Sequence, residues 1–297
     1  MAYYSGSEFV PFLIIYGISL IVLFVGSLTD LKTREVPDWL NYGLIMAGVA
    51  VNLLATIVYS EPAFIINSLV GLAIFFGIAY IMFYAGQWGG GDSKMLMGIG
   101  AMIGIDVSFH RPQFLFDFFI NTLFVGAFYG LLWSIGLVIK NRKKFVKEFG
   151  KVLGKKSSIL AKKASIAAAA ILVTASFAMR QHYAKILIWS LALLVMLTFY
   201  IFVFVRAVEK ISMYKLVEPS KLTEGDWIVK DIFHGREYIA GPKDLGIERR
   251  QIRQLVELYR KGKIRKVLVK EGIPFVPSFF IAFIVTLALG NIVGYFI

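Results

Sequence analysis

The chain has 297 residues, 58% of them hydrophobic and only 17% charged, which excludes an ordinary soluble domain, where charge runs near ~25%, and defines a membrane protein. Its formal charge of +13, from 32 Lys and Arg against 19 Asp and Glu, fits either a nucleic-acid footprint or basic cytoplasmic loops, and the placement of those charges decides between them. The absence of Cys excludes disulfides, Cys-ligated zinc, iron–sulfur clusters and a thiol nucleophile; His110, His182 and His234 are too scattered for a metal site, and no cofactor is implied.

Met1 to Phe9 carries no basic region ahead of the first apolar stretch, so that stretch is expected to remain in the mature protein rather than leave as a signal peptide. Crossing a bilayer takes about 20 apolar residues, because each backbone group in lipid is satisfied within a helix. That rule predicts spans near 9–28, 40–59, 63–86, 93–105, 114–139, 164–179, 186–205 and 275–296. The fourth and sixth are short, and each reads as tilted, partial or joined to its neighbour.

Alternation then puts the loops 29–39, 87–92, 140–163 and 206–274 on one side of the membrane. Counting Lys94 at the edge of the fourth span, that side holds 29 of the 32 basic residues; the other holds only Arg111, Arg180 and Lys185. Basic loops stay inside, so the first side is expected to be cytoplasmic and the N-terminus outside. The charge is thereby assigned to topology, with no nucleic acid implied. Segment 140–163 carries ten basic residues and one acid, Glu148. It reads either as an amphipathic helix on anionic headgroups or as a solvated loop. Segment 206–272 has strand-like runs, Asp226 to Val229 and Lys266 to Lys270, and a helical run from Ile247 to Lys261. The expected fold is an all-α polytopic membrane protein of about six to eight transmembrane helices, with a small cytoplasmic α+β insert before the last.

The expected division is 1–139 as five catalytic helices, 140–163 as a basic cytoplasmic loop, 164–205 as an added helix pair, 206–272 as the soluble insert and 273–297 as the final helix.

Two acids stand apart from the solvated ones. Asp30 directly follows the first span, in SLTDLKTREVPDWLNY, and Asp92 directly follows the third, in YAGQWGGGDSKMLMGIG. Ionisable residues at such positions are functional candidates. Spans two and three run out and back, so both carboxylates reach the cytoplasmic boundary at similar depth. Two carboxylates brought together there share one proton, and the pair can activate a water while polarising a peptide carbonyl. Gly89, Gly90 and Gly91 are free to adopt positive φ and to admit an extended peptide. A structural reading stands beside each of these: Asp92 as the cap of the fourth helix, and Asp30 as a polar helix end ahead of Pro37.

Taken together, the two segments resemble the type IV prepilin peptidase family of GxGD aspartic proteases. The match lies in Asp30, Lys32, Arg34, Val36, Pro37 and Asp38, in the GxGD signature with its lysine (Gly89, Gly91, Asp92, Lys94), and in KEGIPFVPSFF leading into the last span. With no Cys and no zinc-binding segment, the chain is similar to the archaeal prepilin and preflagellin peptidase branch, though 164–205 adds a helix pair to that branch's usual pattern. The resemblance implies a multi-pass plasma-membrane endopeptidase with Asp30 and Asp92 as its catalytic pair and Gly89 and Gly91 as signature glycines. Its partners would be type IV pilin-like or archaellin precursors, cut at the cytoplasmic face, and the lipid bilayer.

Glu35 and Asp38 are candidates to attract a basic leader. Lys94 is a candidate either to position Asp92 or to anchor the helix at the interface. Presenilin-like proteases share GxGD, but here Thr29 precedes Asp30 and the proline segment reads Pro274-Phe275-Val276-Pro277. A transporter with proton-relaying aspartates is the alternative from another class, and a nonenzymatic membrane scaffold is a third.

Overall fold

The structure is a computed structural model, and it describes residues 9–108 and 113–295; His110, Arg111 and the first eight residues lie outside them. Five helices open the chain: α1 (Phe9–Thr33), α2 (Asp38–Tyr59), α3 (Ala63–Tyr84), α4 (Gly90–Ile103) and α5 (Phe114–Lys140). They are followed by α6 (Arg142–Leu153), α7 (Lys156–Ser176) and α8 (His182–Val208), then β1 (Tyr214–Val217), β2 (Trp227–Ile228), β3 (Ile232–His234) and β4 (Glu237–Ala240). The chain closes with α9 (Arg249–Arg260), β5 (Val267–Lys270) and α10 (Val276–Leu289). Among the described residues, α1, α2, α3, α5, α7 and α8 are long and apolar enough to cross a membrane. The protein is a polytopic α-helical membrane protein.

Two predicted spans are shorter than the bilayer. Helices α4 and α10 have 14 residues each, or about 21 Å at 1.5 Å per residue, against roughly 30 Å of hydrocarbon. The last helix stops at Leu289 because Gly290 turns to φ 70°. The sixth span is longer than its apolar core: α7 begins at Lys156 and takes Lys162 and Lys163 into its first turns, since straight-chain lysines are good helix formers that carry their charge to the surface.

The chain divides into two compact units, residues 1–131 with 217–297, and residues 132–216. In the first, α4 is packed between α2 and α3 at backbone distance. A Cβ on Gly48 would lie 2.7 Å from the Met102 nitrogen, and one on Gly71 would meet the Gly100 carbonyl. Such contact leaves the last carbonyls of α4, which have no partner within the helix, shut away from water. Side chains supply the missing donors. Asn52 Nδ2 donates to the Met102 carbonyl at 3.0 Å, and Ser68 Oγ donates to the Ala101 carbonyl at 2.6 Å.

The insert belongs to the same unit. β2 and β5 pair antiparallel, Trp227 with Lys270 and Ile228 with Val269, and β3 and β4 form a hairpin. Both strand-like runs of the sequence are therefore partners in one ladder. Ile228, Ile239, Ile247, Leu255, Leu258, Val267 and Val269 form its core, with Leu255 and Leu258 on the buried side of α9.

In the second unit, the basic segment is helical. Phe145, Phe149, Val152 and Leu153 of α6 pack against Phe199, Val203 and Ala207 of α8. The apolar side that suggested a helix lying on headgroups is thus largely taken up by protein. α7 and α8 are joined at the far end by the Trp189 indole N–H, which donates to Ser176 Oγ at 2.8 Å.

Replacing Asn52 by Leu leaves the Met102 carbonyl without its donor. The expected result is a loss of about 1–3 kcal/mol, seen as a lower thermal midpoint of the detergent-solubilised protein with unchanged helix content.

Candidate active site

Asp30 lies in the last turn of α1 and is only 5% exposed. The helix ends just beyond it, where Arg34 takes φ 62° and Pro37 starts α2 with its fixed φ. Asp30 Oδ2 accepts the Val276 N–H at 3.0 Å, and the Phe275 N–H also bonds this carboxylate. These amides open α10 and have no partner within it. The carboxylate therefore caps the final helix, and the proline segment of the third motif is tied to the first aspartate.

Asp92 caps in the same way. Gly89 is the N-cap of α4, and Asp92, three residues on, accepts the Gly89 N–H with Oδ2 at 3.0 Å. The structural role weighed for Asp92 in the sequence is thus present. The glycines, however, do not take positive φ. Gly89 is extended, at φ −74° and ψ 168°, and the left-handed turn falls earlier, at Gly86 with φ 66°. Gly91 serves close approach instead, since a Cβ there would lie 3.3 Å from Val36 Cβ.

The two carboxylates come to one level. A Cβ on Gly26 would lie 2.8 Å from the Met95 methyl and 3.4 Å from Val276. Val36, farther along the chain, meets Gly91, nearer the start of α4. α1 and α4 are therefore antiparallel here. Asp30 is one turn beyond Gly26, and Asp92 is about one turn back from Met95, so the same step from one contact layer leads to both. Asp30 is close enough for its charge to act on Asp92.

An aromatic cluster ties the two ends together. Trp88, next to Gly89, is 4% exposed. Its ring centroid lies 5.9 Å from Phe275 and 5.4 Å from Phe279. The loop that presents Asp92 is thus packed on the segment whose amides hold Asp30.

The remaining candidates divide. Lys94 pairs with Asp38 Oδ1 at 2.6 Å and lies 5.2 Å from the Tyr42 ring centre. It joins α4 to α2 and occupies the Asp38 carboxylate. Glu35 lies near Asp226 and Glu271 of the insert; burial, followed by the charges of Glu35 and Glu271, raises the Asp226 carboxyl above the usual range against the Thr223 hydrogen bonds that lower it. Arg34 reaches the Gly272 carbonyl at 3.1 Å. Trp88 and Tyr129, whose hydroxyl is near enough to feel the charges of Asp30 and Arg34, were not evident from the sequence, and Phe275 was marked only as part of the proline segment before the last span. A Trp beside GGGD and a Phe beside a helix-starting Pro were the available signals. Among the described residues, no three His, Cys, Asp or Glu side chains converge as metal ligands.

Long apolar helices, with two short helices each capped by a buried or half-buried aspartate, make this a membrane protein with a candidate paired-carboxylate site. Residues 17–134, which contain both aspartates, match the type IV leader peptidase family. A preflagellin peptidase of Methanocaldococcus jannaschii is 28% identical over 138 residues, 44% of this chain and 58% of that protein. One from Methanococcus maripaludis is 36% identical over 88 residues, 30% of this chain and 38% of that protein. The chain thus spans less than two thirds of the length of these two relatives. A prepilin peptidase of Methanothermobacter thermautotrophicus, 21% identical, aligns with 93% of this chain and 94% of its own length.

Trp88→Ala empties the contact between the two capped segments. It is expected to destabilise the protein by about 3–5 kcal/mol, measured by thermal unfolding in detergent, while the insert's own fold is retained.

Proposed function

We propose that this protein is a membrane-embedded aspartic endopeptidase that removes the short basic leader from type IV pilin-like or archaellin precursors at the cytoplasmic membrane face. The observation that carries the reading is the convergence of Asp30 and Asp92 at one level from motifs some sixty residues apart. The names of the archaeal relatives supply the substrate class.

In this reading the two carboxylates act as one coupled unit with a single shared proton. The ionised member takes a proton from a water, and the resulting hydroxide attacks the scissile carbonyl carbon while the protonated member hydrogen-bonds the carbonyl oxygen. The tetrahedral species then collapses, breaking the C–N bond, and a proton passes to the departing amine. Asp92 keeps Oδ1 outside its cap, which uses Oδ2 alone, while the Val276 N–H holds Asp30 at Oδ2. The caps fix the carboxylates so that little reorganisation is needed.

The substrate's hydrophobic segment lies among the helices and its leader stays in the cytoplasm, the side that holds most of the basic loops; the N-terminus of the enzyme is then outside. Glu35, with Asp226 and Glu271 nearby, is better placed than the Lys94-bound Asp38 to attract a basic leader. The catalytic unit comprises helices α1 to α5 with α10, to which 140–163, 164–205 and the insert 206–272 are additions.

Asp30→Asn and Asp92→Asn are each expected to abolish leader removal when the enzyme is coexpressed with a precursor and followed by gel shift. Either variant processing at the wild-type rate from an intact membrane fraction would falsify the assignment. Glu35→Gln is expected to slow processing of a basic leader several-fold, and the deficit is expected to shrink at high salt, where surface charges are screened.

A further inference from the structure

Asn41 lies on the side of α2 that packs on α4. It has 0% exposure, and neither Nδ2 nor Oδ1 has a hydrogen-bond partner among the described residues. Asn52, on the same helix face, spends its amide on α4 carbonyls. A buried amide with neither end satisfied is unfavourable, and an apolar side chain of the same shape would avoid that penalty. Its neighbours Leu40 and Leu44 are buried apolar residues, so packing gives no reason for the amide.

Its level gives one. Leu44 meets Gly98, and Gly48 meets Ala101 and Met102. α2 and α4 therefore run parallel, with a register that puts Asn41 beside Met95. Leu40 and Met95 both close on Gly26, as does Val276. Asn41 thus belongs to the layer immediately beneath Asp30 and Asp92, one helical turn farther into the bundle.

We propose that Asn41 binds the main chain of the substrate just on the hydrophobic side of the scissile bond, with Nδ2 donating to a peptide carbonyl and Oδ1 accepting a peptide N–H. The inference rests on the peptidase reading above. A peptide opened for cleavage is extended, and its first groups beyond the cut enter a region without water, where backbone donors and acceptors need partners. An amide offers a donor and an acceptor side by side, the complement of a peptide group. Met95, unbranched and adaptable, is the side chain that yields to admit it.

Asn41→Leu keeps the branching at Cγ and removes both polar ends. Purified enzyme in liposomes, titrated with a precursor, is expected to show KM raised about tenfold, the scale of an unmade buried hydrogen bond. Its kcat is expected to change little, and its thermal midpoint to stay equal or rise. Asn41→Ala, which leaves space instead of filling it, is expected to raise KM likewise and decides the matter if the Leu variant does not accumulate. An unchanged KM overturns the inference while wild-type processing upholds the peptidase reading. A fall in kcat at constant KM also overturns it, as does a joint loss of stability and processing in the Leu variant, which would make the amide part of the fold. A wild-type enzyme that removes no leader overturns the peptidase reading and this inference with it.

Discussion

The arrangement depends on how two helices begin. α4 and α10 start among longer neighbours, and the first amides of a helix have no partner inside it. In both cases an aspartate supplies the acceptor: Asp92 for Gly89 and Asp30 for Val276. Negative charge is favourable at such a terminus, so two carboxylates are kept where the surrounding spans are strongly apolar. Each cap comes from a different part of the chain, and Trp88 against Phe275 joins the two.

That origin explains why the site is both a structural and a chemical feature. A carboxylate recruited only for catalysis would be a buried charge without support, which proteins rarely tolerate. Here each is held by backbone N–H groups, and the proposed chemistry draws on the acceptor capacity that is left. The close backbone contact of α4 with α2 and α3 continues the same principle at the other end of the short helix, where Asn52 and Ser68 satisfy its carbonyls. Asn41, left unsatisfied between these well-paired ends, is the exception that the proposed substrate would complete.

Much of this was legible in the sequence. Hydropathy gave the long helices because a lipid-crossing segment has a required length, and the strand-like runs before the last helix, short and apolar between charged residues, proved to be ladder partners. Asp30 and Asp92 stood out because acids are rare beside apolar spans. What was hidden depends on pairing across the fold. Lys94 is close to Asp92 in sequence, yet its four-carbon stem carries the ammonium to Asp38. The glycine run suggested left-handed backbone, but Gly91 is small for the sake of Val36. The shortness of α10 follows from one turn at Gly290 inside an apolar run, where hydropathy has no boundary to report.

The proposed site stands on Asp30 and Asp92 sharing one level across antiparallel α1 and α4. Because the chain has no Cys, it can be tested with cysteines introduced only at positions 30 and 92, treated in membranes with a short bifunctional thiol reagent. An intramolecular crosslink is expected, detected by mass spectrometry of the joined peptides, alongside one in a control pair at positions 36 and 91. A control pair that crosslinks readily while 30 and 92 remain unjoined would contradict it.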